Sequence, residues 1–312
     1  VTCRPPLLAR FLPDSRRISW EGSKIRLILP VLFYNISVSV AYFITGIRDR
    51  RRDTKVAGML IKVIAVQSPS GKKLSQEEKL RIFKQRPDFV CLPEYCLISE
   101  DAPDFGRAAL MIKENLEYLR SLSDAFSTCL IGGSVVEGEA DVLYNNSYIF
   151  HHGQQIGKYR KLNPVAGELE MGILPGDKLY TAVIDDVKIG LMICADALNP
   201  ELFAAFRPEE VDLIFIPTTS PYRPQERKIE KFRRDNEIYV DGAQRALSYV
   251  IKVCGVGTLF GKRLQGRSLV ASPWGVLNRV DPQAELYSCI LTTVIDIDEL
   301  RDFRQKKLAA GG

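Results

Sequence analysis

The sequence predicts an α/β layered fold. Short apolar strand patterns alternate with capped or amphipathic helix patterns through residues 59–312, and no repeat, low-complexity tract or linker interrupts them. At or just beyond three of the strand patterns stands a residue able to do chemistry: Glu94, Lys161 and Cys194. Residues 59–312 therefore read as a single domain, and residues 1–58 as a leader of different character.

The elements follow in order. Met59 opens a strand over 59–66. Ser75 with Glu78 three residues later forms a capping box for a helix ending near Gln85. The apolar run 88–93 is a short strand with Glu94 and Tyr95 at its end. Residues 107–126 read as one helix, and 128–136 as one strand crossing Gly132 and Gly133. A hairpin over 145–150 and 155–159 has His151, His152 and Gly153 at its tip, a solvated turn. The segment 161–176 has no period and carries Pro164, Gly167, Gly172 and Pro175, so it reads as an ordered loop of the kind that lines a site.

The clearest stretch is 187–200. Val187, Ile189, Leu191 and Ile193 alternate with Lys188, Gly190 and Met192, and the alternation stops at Cys194. Asn199, Pro200 and Glu201 then supply an N-cap, a first-position proline and a first-turn acid. Cys194 therefore sits on a tight strand-to-helix turn, where a nearby cation and free N–H groups would favour its thiolate. Beyond it come strands over 211–216, 249–254, 267–271 and 288–295, a helix over 225–247, and a last helix from Ile297 to about Lys306.

Composition narrows the class. With 46% hydrophobic residues, the 312-residue chain can bury one large core. The net charge of +5 is unevenly placed: residues 1–58 carry 11 Lys and Arg against 4 Asp and Glu, the remainder 32 against 34. The body thus has no global attraction for nucleic acid. Seven cysteines without paired spacing and only two histidines fit neither a disulfide framework nor a zinc ribbon, and point to a reducing, cytoplasmic setting. Within the leader, 27–47 is uncharged for 21 residues between basic flanks. It has the length of a membrane span, although Pro30, Asn35, Ser37 and Ser39 dilute it. The leader is thus either an anchor or an extension upstream of the working protein.

A carboxylate, an ammonium and a thiol suffice for acyl transfer without histidine. The sulfur attacks a carbonyl or nitrile carbon, the carboxylate shuttles protons, and the ammonium with a backbone N–H steadies the oxyanion. Singly, each fragment has a plainer reading: a capped surface glutamate, a loop lysine, a small buried cysteine.

Together the fragments resemble the nitrilase superfamily of carbon–nitrogen hydrolases across essentially all of 59–312. The resemblance rests on Leu92-Pro93-Glu94-Tyr95, Gly132-Gly133-Ser134, Tyr144-Asn145, Tyr159-Arg160-Lys161, Cys194-Ala195-Asp196, Pro200-Glu201, Gly266-Arg267-Ser268 and Pro273-Trp274-Gly275. It implies a four-layer α-β-β-α sandwich, commonly dimeric, with no metal or organic cofactor. It further implies Glu94 as general base and acid, Lys161 as oxyanion cation, Cys194 as nucleophile and Glu168 as a second, positioning glutamate. The N–H of Ala195 would complete the oxyanion hole. Tyr95, Ala195 and Ser220 are the expected substrate contacts.

The chain departs from the family pattern at Ala195, where many members carry an aromatic residue, and at 244–248, where Arg245-Ala246 lacks its usual Glu-Asn. Asp196 favours amide or carbamoyl substrates, since true nitrilases typically have Cys-Trp-Glu. The expected activity is hydrolysis of a small non-peptide amide or carbamoyl compound by a homodimer or larger homo-oligomer. The alternatives are a nitrile hydrolase, an N-acyltransferase anchored through 27–47, and a catalytically silent binding protein on the same fold.

Overall fold

The computed structural model describes residues 58–310, so the leader and its apolar run at 27–47 lie outside the described residues. The chain opens with β1 (Leu60–Gln67), α1 (Gln76–Gln85) and β2 (Phe89–Cys91). Then follow α2 (Phe105–Ala109), α3 (Ile112–Phe126), β3 (Cys129–Ile131), β4 (Val135–Glu139), β5 (Val142–His151) and β6 (Gln154–Arg160). These six strands form most of one sheet. After α4 (Ala166–Glu170), β7 (Tyr180–Ile184), β8 (Val187–Leu191), α5 (Pro200–Phe206), β9 (Leu213–Thr218), α6 (Lys228–Asp235), α7 (Asp241–Ala246) and β10 (Tyr249–Cys254) begin a second. A two-stranded ribbon, β11 (Thr258–Leu259) and β12 (Lys262–Arg263), precedes β13 (Leu269–Ser272) and β14 (Gly275–Arg279), which complete it. The chain then returns to the first sheet: β15 (Cys289–Asp296) runs antiparallel to β1 in unbroken register, and α8 (Ile297–Ala310) follows.

Period-2 burial explains how the layers stack. On β1, Ile61, Val63 and Ala65 face the second sheet and meet Ile189, Leu191, Phe215 and Ile251. The alternate residues Ile64 and Val66 face outward and lie under Ile82 of α1 and Leu119, Leu122 and Phe126 of α3. On the far side, Phe203 and Phe206 of α5 and Ala243 and Ala246 of α7 cover Ile214, Ile216 and Val250. Strands buried on both faces read as continuous apolar runs, and each such large side chain stabilises by about 1.5–3 kcal/mol. The result is the four-layer α-β-β-α sandwich implied by the family resemblance.

Several expected elements divide where the site needs them to. The single strand over 128–136 is broken at Gly132–Ser134. Gly133 has φ +66°, and a Cβ there would lie 2.0 Å from the carbonyl oxygen of Pro93. Past the break, Ser134 donates its N–H to Pro93 O (3.3 Å), and its hydroxyl accepts the N–H of Tyr95 (3.1 Å). The interruption thus clamps the turn that carries Glu94. The helix over 107–126 is two, because Asp104 caps a separate start at Arg107 (2.7 Å) and buried Phe105 anchors it. The segment 161–176 contains the short helix α4, not only loop. Residues 225–247 hold α6 and α7 joined by a π turn, Asn236–Val240. The strand expected over 211–216 is shifted to β9, that over 267–271 to β13, and β7, β14 and the ribbon had no sequence prediction.

Gly133→Ala is expected to lower the unfolding free energy by more than about 1 kcal/mol, since no L side chain fits that φ beside Pro93. Gly167→Ala, with nothing within 4 Å of an added Cβ, is the neutral comparison. Urea melts of the two variants check the difference.

Candidate active site

Glu94, Cys194 and Thr219 follow the carboxyl ends of β2, β8 and β9, the end of a parallel sheet where ligands bind. Lys161 follows β6, its backbone held between Asn145 O (2.9 Å) and Gly176 N–H (2.7 Å). All seven residues expected from the sequence line one cavity of about 590 Å³: Glu94, Lys161, Glu168 and Cys194 with Tyr95, Ala195 and Ser220. Two of them have left-handed backbone, Tyr95 at φ +53° and Cys194 at φ +48°. Such conformations cost about 1–3 kcal/mol each in non-glycine residues and persist where surrounding structure enforces them. At Cys194 the turn enters a 3-10 helix, Cys194–Leu198, before whose first internal bond the N–H of Ala195 is free of helical partners.

The charged groups are almost wholly buried. Lys161 Nζ lies 2.8 Å from Glu94 Oε1 and 2.7 and 2.9 Å from the two oxygens of Glu168. Exposure is 1% for Glu94 and Lys161 and 5% for Glu168. Every carboxylate oxygen is supplied with donors. Asn145 Nδ2 bridges Glu94 (3.0 Å) and Glu168 (3.2 Å), the Tyr95 hydroxyl donates to Glu168 (2.5 Å), and the N–H of Val165 caps Glu168 Oε2 (2.8 Å). Glu94 Oε2 takes both the N–H and the hydroxyl of Thr219 (2.8 and 2.6 Å). The carbonyl of Thr219 accepts the Cys194 thiol at 3.3 Å. One residue therefore joins thiol and carboxylate.

These surroundings set the protonation states. Burial opposes the Lys161 ammonium, but the charges of Glu94 and Glu168 and the hydrogen bond to Glu168 outweigh it and hold the group above the ordinary lysine range. Burial likewise opposes ionisation of Glu168. Lys161, Tyr95 and the N–H of Val165 reverse the balance and bring its carboxyl below the ordinary range. The Cys194 thiol is pushed well up, first by burial and then by the charge of Glu94, with Lys161 pulling the other way. This corrects the expectation that a nearby cation would leave a thiolate. Two carboxylates and one ammonium make the environment negative, and the thiol keeps its proton beside a carboxylate placed to take it.

A second network ties the elbow to the loop after Lys161. Asp196, fully buried, accepts from the N–H of Ile193 (2.8 Å), the hydroxyl of Tyr159 (2.7 Å) and the N–H of Asn163 (2.7 Å). Sequence reasoning missed Thr219 and Asn145 as parts of the site. Their only local signals were the Thr218-Thr219-Ser220 run past a strand and the asparagine of Tyr144-Asn145. Among the described residues no group of three His, Cys, Asp or Glu is arranged to hold a metal ion.

Comparison with known proteins agrees with this architecture. A family model described as carbon–nitrogen hydrolase matches residues 53–305. The chain is 30% identical to omega-amidase NIT2 of Mus musculus over 246 residues, 72% of this chain and 82% of that protein. Its fold matches a carbon–nitrogen hydrolase from Helicobacter pylori with TM-score 0.68 at 20% identity, over 79% of this chain and 92% of that one. It also matches a variant amidase from Nesterenkonia sp., whose structure shows covalent addition of the acetamide moiety of fluoroacetamide at the active-site cysteine. There the TM-score is 0.64 at 15% identity, over 80% and 96% of the chains.

The thiol assignment predicts no ultraviolet thiolate absorbance from Cys194 at neutral pH, taken as the difference between wild type and Cys194→Ala. Glu94→Gln removes a negative charge and should move the titration midpoint down. A full thiolate signal at pH 7 in the wild type would contradict the assignment.

Proposed function

Because the chain belongs to the carbon–nitrogen hydrolase family, we propose that it hydrolyses a small non-peptide amide through an acyl intermediate on Cys194. The observation that carries this reading is the Thr219 bridge, which holds the Cys194 thiol and the Glu94 carboxylate on the lining of a single cavity. Glu94 takes the thiol proton as sulfur attacks the carbonyl carbon. The tetrahedral oxyanion meets the Lys161 ammonium and the N–H of Ala195, worth ~3–4 kcal/mol per well-placed donor. As Glu94 becomes neutral, its hold on Lys161 weakens, leaving more of the ammonium's field for the oxyanion.

The C–N bond then breaks as Glu94 passes the proton to nitrogen, and ammonia or an amine leaves. A water molecule attacks the thioester and gives its proton to Glu94. Collapse releases the acid, and the proton returns to Cys194. Glu168 and Asn145 hold Lys161 and Glu94 in register throughout. The acceptable chemistry of the omega-amidase relative and the cysteine adduct in the structurally similar amidase support the amide over the nitrile reading. A silent binding role leaves the buried charges without purpose. The N-acyltransferase alternative depends on 27–47, outside the described residues. Among the described residues no helix is long and apolar enough to cross a membrane.

The same proposal takes 59–312 as the catalytic domain, a reducing cytoplasm as its setting and a homodimer or larger assembly as its working state. Light scattering at micromolar concentration should show at least a dimer, and an active monomer would remove that part. For the chemistry, Cys194→Ala is expected to abolish ammonia release. Glu94→Gln and Lys161→Ala should each lower kcat by roughly 100- to 10,000-fold. The losses are non-additive because the three groups act as one unit. Substantial release from Cys194→Ala, or an acyl adduct located by mass spectrometry on another residue, would overturn the reading.

A further inference from the structure

Part of the wall of the cavity that holds Cys194 is a small hairpin. Its strands are β11 and β12, joined by the two residues Phe260 and Gly261. Both have left-handed backbone, φ +46° and +73°, as a type I′ hairpin turn requires. Asparagine or aspartate followed by glycine meets that requirement most easily, whereas a bulky side chain at such a φ is an outlier. The chain thus carries phenylalanine where the turn itself disfavours it. Outliers of this kind persist where surrounding structure enforces them, and they cluster at ligand clamps and switch segments.

The reason lies in where the ring goes. Phe260 lines the cavity and meets Phe105 edge-to-face, with ring centres 4.9 Å apart and planes at 88°. Phe105 lies in turn 5.0 Å from the ring of Tyr95, whose hydroxyl donates to Glu168. Tyr95 and Phe105 are buried, and Phe260 is only partly so. A row of three rings therefore runs from the buried charges to the hairpin tip, and Phe260 is its exposed end.

Base and tip of the hairpin are held in different ways. At the base, Val256 exchanges backbone bonds with Ser68 and Ser70 (3.0 Å each). Leu264 donates its N–H to Gly257 O and Tyr222 its N–H to Arg263 O, both at 2.8 Å. Above these the hairpin has only two residue pairs, Thr258 with Arg263 and Leu259 with Lys262. Two strands of this length are marginal by themselves. Lys262 and Arg263 are exposed, and a Cβ added at Gly261 would meet nothing within 4 Å. The tip is fastened by Leu259 and Phe260 against the apolar cluster that contains Phe105. An element with a fixed base and few apolar contacts at its tip belongs to the part of a fold that opens locally.

We propose that this hairpin is a flap of the Cys194 cavity, and that Phe260 sets the size of the molecule that reaches the thiol. Compact molecules enter with the ring seated on Phe105, and bulkier ones enter only when the tip swings out. The proposal rests on the reading of Cys194 as the reactive residue, because that thiol reports entry.

The test compares two alkylating reagents on the full chain, iodoacetamide and its N-benzyl derivative, which share a leaving group and differ in size. Mass spectrometry of the peptide containing Cys194 reads the rate at that thiol alone. Its protonation affects both reagents alike, so the ratio of their rates, divided by the same ratio for free cysteine, measures access. In the wild type this ratio should favour iodoacetamide by about 10-fold or more, the order of discrimination that a shaped apolar pocket reaches. Phe260→Ala should bring it to within about 3-fold of free cysteine, since the obstacle is then gone. Phe260→Tyr, which keeps the ring, should retain the wild-type ratio. Phe260→Gly also removes the backbone cost and should match Phe260→Ala, because the ring and not the turn is the barrier. A ring with only a packing role would leave the ratio unmoved in Phe260→Ala, or would let both reagents react faster by the same factor. Either result would overturn the flap, as would equal entry of the two reagents in the wild type. Phe260→Leu, expected to give an intermediate ratio, serves if the smaller variants fail to fold. Ammonia release from simple amides is measured on the same samples. A ratio that depends on Phe260 without any ammonia release would keep the flap and sink the hydrolase reading. Ammonia release with no discrimination between the reagents would do the reverse.

Discussion

The site depends on three charges taken out of water together. Glu94, Lys161 and Glu168 are each at most 5% exposed, and removing two carboxylates and an ammonium from solvent costs several kcal/mol per ion. Their mutual attraction offsets this only if the remaining lone pairs are filled. Asn145, Tyr95, Val165 and Thr219 fill them. Their donors come from β5, from the turn after β2, from the start of α4 and from the segment after β9. The architecture around the cavity is thus constrained by the need to bring four separate segments to one buried cluster.

That constraint explains the local irregularities. The break at Gly133 lets Ser134 hold Tyr95, so a defect in one strand becomes the support for the turn beside Glu94. The left-handed backbone at Tyr95 and Cys194 is tolerated because packed layers over-determine both turns. Residues that look out of place in a strand or helix pattern are, in this protein, those whose positions the cavity requires.

The cavity also separates two kinds of charge. At the Cys194 end the excess is negative, which keeps the thiol protonated and makes its deprotonation depend on Glu94. Elsewhere on the lining the local excess is positive, where Lys252 and Arg267 share the single carboxylate of Asp235.

Much of this was legible in the amino-acid order. The strand alternation ending at Cys194, the cap formed by Asn199 and Pro200, and the polar residues past strand ends are local patterns with local causes, so the layered fold and the candidates Glu94, Lys161 and Cys194 could be read directly, whereas Glu168 came only from the family resemblance. Short-range physics also governs the Ser75–Glu78 capping box, which the structure contains. The bridging role of Thr219 was not legible, because its partner Glu94 is 125 residues away and no pattern along the chain marks that meeting. The thiol's protonation state was misread for the same reason: a sequence shows that a cation and carboxylates exist, but burial and distance decide which field prevails. Lys252 lies in the strand expected over 249–254, and the sequence reading gave it no role. Only the folding of β10, α6 and the segment before β13 onto one cavity brings it beside Asp235 and Arg267, since the free energy of a buried charge depends on which groups surround it in space.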